Sequence, residues 1–177
     1  FFDMPVDNLF TTPLFARYIK KNIKRKNLIC VSPDAGGIER TRGLAKKIDA
    51  DLAIIDKRRP QAGKSQVMNI IGDVKNKDCI IVDDIIDSGG TIVNAAEALI
   101  KKGASDVYVF VTHAVLSGDA IQKIKKSKIK KLVITDSIDN SNKVKNINKI
   151  QTLSIAPLMA EAIKRISNST SVSDLFN

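Results

Sequence analysis

Tryptophan is absent, aromatic residues make up only 5% of the 177 residues, and His113 is the single histidine. So few rings, none interleaved with the basic runs, offer no stacking platform for single-stranded nucleic acid. Cysteine is equally scarce. Cys30 and Cys79 show no CxxC spacing, which argues against a cysteine-rich metal knuckle or a disulfide framework. Both lie in apolar runs and read as buried thiols of a protein in the reducing cytoplasm. Long apolar stretches are missing too: runs such as Cys79 to Val82 fall far short of the roughly 18 residues a membrane helix needs. The opening Phe1-Phe2-Asp3 carries neither a basic n-region nor an apolar h-region, so no secretory signal is visible. An initiating methionine is lacking, and the chain reads as a fragment or a processed product. No repeat, low-complexity tract or linker divides it. Residues 1–177 are therefore expected to form one domain, with 167–177 as a C-terminal tail.

What is plentiful is lysine. The formal net charge is +10, from 29 basic and 19 acidic residues, with much of the excess in 20–26 (KKNIKRK) and 123–131 (KIKKSKIKK). A basic chain suits nucleic acid, a membrane surface or small polyphosphates. Charge runs are nevertheless usually solvated faces, and that is the expectation for both clusters, with neither nucleic acid nor membrane as partner.

Apolar periodicity predicts alternating helices and strands. Thr11-Thr12-Pro13, then Leu14, Phe15, Tyr18, Ile19 and Ile23, reads as a capped amphipathic helix with proline in its first turn. Strands are predicted at Leu28 to Val31, Leu52 to Ile55, Val67 to Ile71, Asp78 to Asp84, Val107 to Val111, Leu132 to Thr135 and Gln151 to Ser154. Helices carry Ile38, Leu44, Ala45 and Ile48; Ile92, Ala95, Ala96, Leu99 and Ile100, stopped by Gly103; 119–125; and 155–166. Residues 58–65 and 139–149 read as polar loops. Such alternation predicts an α/β fold with a mostly parallel sheet flanked by helices. Ligands in such sheets bind beyond the carboxyl ends of the strands, so residues directly after strands carry the functional interest.

The clearest motif is Val82-Asp83-Asp84-Ile85-Ile86-Asp87-Ser88-Gly89-Gly90-Thr91. An apolar strand delivers two adjacent carboxylates, then a third, and a small-residue turn opens a helix. Gly89 and Gly90 allow close backbone approach. The helix N-terminus, with the Ser88 and Thr91 hydroxyls, offers donors and the positive dipole end to a phosphate. Carboxylates beside a phosphate cradle suit a sugar whose hydroxyls donate to Asp83 and Asp84. Asp34, between a strand and Gly36-Gly37, is by its own sequence as readily a helix cap as a functional carboxylate. Asp56-Lys57-Arg58-Arg59-Pro60 is either an exposed basic loop or a source of cations for a polyphosphate. Gly63-Lys64-Ser65 is no P-loop, because that pattern wants its first glycine at position 58, which is Arg58.

Residues 82–91 resemble the ribose-phosphate-binding loop of the type I phosphoribosyltransferase fold. Three further segments resemble the ribose-phosphate diphosphokinase (phosphoribosyl pyrophosphate synthetase) family: Val31 to Gly37 (VSPDAGG), Asp56 to Pro60 (DKRRP), and Ile155 to Ile163 with Ser171 to Phe176. The resemblance runs over essentially the whole chain and corresponds to the second half of a typical member. It implies that O1 of ribose 5-phosphate attacks the β-phosphorus of ATP, giving phosphoribosyl pyrophosphate and AMP for nucleotide biosynthesis, with Mg²⁺ required. It implies Lys57 and Arg59 as catalytic cations on a closing loop, Asp34 as the metal ligand, and Asp83, Asp84, Asp87, Ser88, Gly89, Gly90 and Thr91 as the ribose 5-phosphate site. Ser171 and Ser173 match positions that hold a regulatory phosphate or ADP. A cytoplasmic homo-oligomer, a hexamer, is implied as well. The family's metal-binding histidine belongs to the preceding half, and His113 does not match it. Ser88-Gly89-Gly90 stands where Thr-Ala-Gly or Thr-Gly-Gly is commoner, a conservative departure. The isolated half is expected to be inactive. The alternatives are a phosphoribosyltransferase, which 82–91 permits but 56–59 and Ala156-Pro157-Leu158 disfavour, and a non-catalytic regulatory homologue, disfavoured because all the loop cations and aspartates are present.

Overall fold

The central apolar runs, Leu28–Ser32, Asp78–Ile86, Asp106–Ala114 and Lys131–Thr135, become strands because they can bury both of their faces. The computed structural model describes residues 2–24, 27–58 and 67–176. It contains β1 (Leu28–Ser32), β2 (Asp51–Arg58), β3 (Val67–Ile71), β4 (Asp78–Ile86), β5 (Asp106–Ala114), β6 (Lys131–Thr135) and β7 (Ile150–Leu153). Between them lie α1 (Thr12–Asn22), α2 (Ile38–Ile48), α3 (Gly90–Lys101), α4 (Ala120–Lys126), α5 (Ser141–Val144) and α6 (Ala156–Ser167). The strands form one sheet in the order β3-β2-β1-β4-β5-β6-β7, parallel throughout except for the β2–β3 edge pair.

Successive side chains on a strand point to opposite faces, and the two cores follow that rule. Ile29, Val31, Cys79, Ile81, Val107 and Val109 pack with Ile92, Ala95, Ala96 and Leu99 of α3 and with Ala120 and Ile124 of α4. Cys30, Ile80, Val82, Phe110 and Val133 pack on the other side with Phe15, Ala16 and Ile19 of α1 and with Leu44 and Ala45 of α2. The register pairs Cys30 with Ile80 and Ile29 with Cys79, so the two buried thiols sit on neighbouring strands but on opposite faces. Burial pushes each thiol up to about 12. Among the described residues no helix is long and apolar enough to cross a membrane.

Four local details differ from the sequence expectation. The Thr11 hydroxyl makes no capping bond to α1 and instead meets the Thr112 hydroxyl at 2.8 Å, tying α1 to the end of β5. β2 runs on to Arg58 because β3 returns antiparallel beside it, pairing Arg58 with Val67. β4 runs on to Ile86 because β5 continues beside it, pairing Ile85 with His113 and Ile86 with Ala114. Asp83 and Asp84 lie in the strand, as expected, and the turn that follows begins only after Ile86. The polar 139–149 segment contains a helical turn, α5, anchored by buried Val144 and by Asn140, whose Nδ2 donates to the Ala114 carbonyl at 2.6 Å. Gly103, expected to stop a helix, takes the left-handed φ of 93° directly after α3.

Leu99 is fully buried between α3 and the sheet, whereas Ile163 on α6 is 63% exposed. Leu99→Ala should cost about 2–5 kcal/mol through lost burial and an unfilled cavity. Ile163→Ala should stay within roughly 0.5 kcal/mol. Urea denaturation of the two variants checks the contrast.

Candidate functional site

The strand order reverses direction between β1 and β4. Their following helices, α2 and α3, pack on opposite faces of the sheet, so the connections diverge and leave a crevice at the carboxyl ends, where open α/β sheets bind ligands. A depression of about 330 Å³ occupies that position. Asp34, after β1, lines it, together with Asp83, Asp84, Asp87, Ser88, Gly89 and Thr91 from β4 and its turn. Residues assigned separately from sequence therefore share one site. Gly90 begins α3 and is not among the lining residues.

Gly89 is the N-cap of α3 and has a φ of 75°. A Cβ there would approach Ala120 no closer than 3.8 Å, so backbone conformation rather than space calls for glycine. No side chain caps α3 and no acidic residue sits in its first turn. Its N–H groups and dipole therefore remain for an anion.

On the other wall, Asp34 Oδ1 accepts the Gly37 N–H at 3.0 Å, and the Ser32 hydroxyl donates to the Asp34 carbonyl at 2.6 Å. The N-cap of α2 is Gly37, not Asp34; Asp34 closes the turn ahead of it. A Cβ on Gly37 would come within 2.9 Å of Ser32 Oγ, so a side chain there would push that hydroxyl off its bond to the Asp34 carbonyl.

A residue that sequence reasoning missed joins the two walls. Arg40 of α2 donates from Nη1 to Oδ1 of Asp83 at 2.9 Å and from Nη2 to Oδ2 of Asp84 at 2.8 Å. The available signal was electrostatic. Arg40 sits in the first turn of α2, where the helix dipole disfavours a cation, so an acidic partner was to be sought. The two carboxylates respond differently. Burial raises Asp83 to about 6, aided by its neighbour Asp84 and opposed by the Asp84 N–H and Arg40. Burial also pushes Asp84 upward, but Arg40 and hydrogen bonds from Asp83 and from the backbone N–H groups outweigh it and hold Asp84 below the usual carboxylate range.

The remaining sequence assignments are scattered. Lys57 has its backbone on β2, paired with Met68, next to β1 in the sheet. Arg59 lies outside the described residues, as does Gly63-Lys64-Ser65. The Ser171 and Ser173 hydroxyls are 2.8 Å apart on the tail and do not line the depression. Arg165 of α6 holds that tail through the Ser171 carbonyl at 2.8 Å, and Phe176 packs edge-on against Phe10 at 5.3 Å. His113 also stays outside the depression, with Nδ1 3.0 Å from the Ser137 hydroxyl.

Because Asp83 is raised in the folded chain, its contribution to stability is present at acid pH, below its ordinary unfolded value, and is lost as pH rises through about 6. Asp84 behaves oppositely: its contribution is present above the ordinary value and is lost as pH falls through its lowered one. Carboxyl-carbon NMR should show Asp83 titrating near 6 and Asp84 below the usual range. Asp83→Asn should remove the loss of thermal stability between weakly acidic and weakly alkaline buffer.

A family model described as the phosphoribosyl synthetase-associated domain matches residues 56–177. Proteins named ribose-phosphate pyrophosphokinase are 52% identical to the whole chain in Rhizobium meliloti (strain 1021), across 57% of that protein, and 55% identical in Bradyrhizobium diazoefficiens, across 56% of it. The chain therefore spans little more than half the length of the curated relatives it matches. The crystal structure of phosphoribosylpyrophosphate synthetase from Mycobacterium smegmatis aligns with a TM-score of 0.85 and 34% identity, over 95% of this chain and 54% of that one. Purine phosphoribosyltransferase from Pyrococcus horikoshii Ot3, at 19% identity and a TM-score of 0.52 over 81% of this chain and 84% of its own, shares the fold. Kinship follows from the match over 56–177 together with the fold held in common with a solved synthetase: this chain belongs to the phosphoribosyl pyrophosphate synthetase family, on a phosphoribosyltransferase-like fold.

Proposed function

We propose that the chain supplies the sugar-phosphate-binding part of a ribose-phosphate pyrophosphokinase, which transfers diphosphate from ATP to O1 of ribose 5-phosphate and releases AMP. The carrying observation is the depression in which carboxylates and an uncapped helix N-terminus lie side by side. A sugar phosphate has hydroxyls for the first and an anion for the second. In this reading the phosphate rests on the 87–91 turn and the ribose hydroxyls donate to Asp83 and Asp84. Lys57 and Arg59 meet the charge that develops on the transferring diphosphate, where preorganised cations contribute most.

The donor set also suits Mg²⁺, a hard cation that takes one or two carboxylates and fills its shell with phosphate oxygens and water. Asp34 is the carboxylate for it. It lines the depression together with Asp87 and Ser88, and substrate oxygens and water would complete the shell. When bound, the ion neutralises phosphate charge. A cytoplasmic location, a hexameric assembly, and regulation through Ser171 and Ser173 belong to the same reading and rest on the family resemblance. So does the inactivity of the 177-residue chain by itself, since it spans 57% of the Rhizobium meliloti relative.

AMP release from ATP and ribose 5-phosphate by the full-length protein tests the reading. Asp83→Asn should raise the KM for ribose 5-phosphate by roughly 10- to 100-fold, as lost charge-assisted bonds of about 1.5–3 kcal/mol imply. Lys57→Ala should lower turnover by about 10²- to 10³-fold while ribose 5-phosphate still binds. Diphosphate release driven by a nucleobase, with no AMP formed from ATP, would replace the proposal with a phosphoribosyltransferase.

A further inference from the structure

Asp83 and Asp84 are consecutive on β4, and consecutive strand side chains point to opposite faces. Two neighbouring carboxylates also repel one another. Both tendencies should drive the pair apart, yet the two acids line one depression and Arg40 reaches both. The guanidinium is the group that reconciles them. Its planar fork offers two parallel donors at fixed spacing, one for each carboxylate, where a lysine would offer a single mobile point charge.

The pattern of occupied oxygens shows what the fork leaves open. Asp83 receives Arg40 Nη1 and the Asp84 N–H on the same atom, Oδ1. Asp84 receives Arg40 Nη2 on Oδ2 and the Ile85 N–H on Oδ1. A carboxylate has about four acceptor directions, so Arg40 and the backbone N–H groups leave each acid further capacity, part of it shared between the two acids themselves. Two adjacent hydroxyls on a sugar ring need two acceptors on one side. Arg40 is also poorly explained as an ordinary surface ion pair, which contributes little. The Asp83 side chain is only 16% exposed and that of Arg40 32%, and the guanidinium sits beside Gly37 in the Asp34 turn.

We propose that Arg40 is the positioning residue of this site: it gathers Asp83 and Asp84 onto one side of the β4 end and presents them as a paired acceptor for two neighbouring sugar hydroxyls. The proposal rests on the ribose 5-phosphate reading above and adds the residue that shapes that subsite. Arg40 acts through the carboxylates and leaves the triphosphate to other groups.

The test is calorimetric titration of the full-length protein and its variants with ribose 5-phosphate, alongside KM values for both substrates. Arg40→Ala should weaken ribose 5-phosphate binding on the order of tenfold with the KM for ATP unchanged, and Arg40→Lys should recover part of the loss. In an Asp84→Asn background the cost of Arg40→Ala should shrink, because one of the two partners through which Arg40 acts is already neutral. Unaltered sugar binding in Arg40→Ala, an equal loss of ATP affinity, or a full cost in the Asp84→Asn background would each overturn the proposal. Should Arg40→Ala fail to fold, Arg40→Lys alone decides, since a sugar KM equal to wild type would then refute it. A wild-type protein that does not bind ribose 5-phosphate would instead refute the functional reading, and the proposal with it.

Discussion

Two parallel strands whose following helices leave on opposite faces of the sheet cannot cover the gap between their carboxyl ends with their own connections. β1 and β4 are such a pair, held in register from Leu28 opposite Asp78 to Val31 opposite Ile81. That pairing is the constraint on which the site depends. It brings the Asp34 turn, encoded early in the chain, beside the aspartates and glycines encoded some fifty residues later. The apolar residues of both strands fix it by filling two cores at once, so the crevice stands on the most deeply buried part of the molecule. A site founded there needs little reorganisation to receive a ligand.

Opposite demands meet within that crevice. Its α3 wall, with an uncapped helix end, favours negative charge, while its β4 wall already carries negative charge. Arg40 keeps the second from cancelling the first. By holding Asp84 ionised and pairing with Asp83, it allows two carboxylates to stand near the α3 N-terminus with less mutual repulsion. The depression thereby has carboxylates at one end and an uncapped helix N-terminus at the other, the division that the proposed sugar phosphate would match. Among the described residues, Arg40 is the cation that pairs with these acids.

The order of elements was legible in the sequence because strands buried on both faces announce themselves as short apolar runs. The Asp83–Thr91 motif was legible because strand, acids, glycines and helix are contiguous. What escaped was non-local. Arg40 meets its acids across 43 and 44 residues, and nothing in its neighbours Glu39 and Thr41 marks it. The extension of β2 and of β4 escaped for a related reason: each is lengthened by a partner strand, β3 and β5, and not by its own composition. The Thr11 hydroxyl, well placed by local rules for a helix cap, is taken by Thr112, a hundred residues away. Local propensity proposes, and tertiary contact disposes.

The placement of Cys30 and Cys79 has a consequence for how this domain ages. Neighbouring in the sheet but turned to opposite faces, the two sulfurs cannot meet the geometry of a disulfide without moving the backbone. Burial that pushes each to about 12 keeps them as thiols, out of the reactive thiolate form. Oxidants and alkylating agents therefore reach Cys30 only when α1 and α2 lift from the sheet, and Cys79 only when α3 does. The centre of the sheet thus carries its own tamper seal, and a modified cysteine records which helix layer has at some time come away from it.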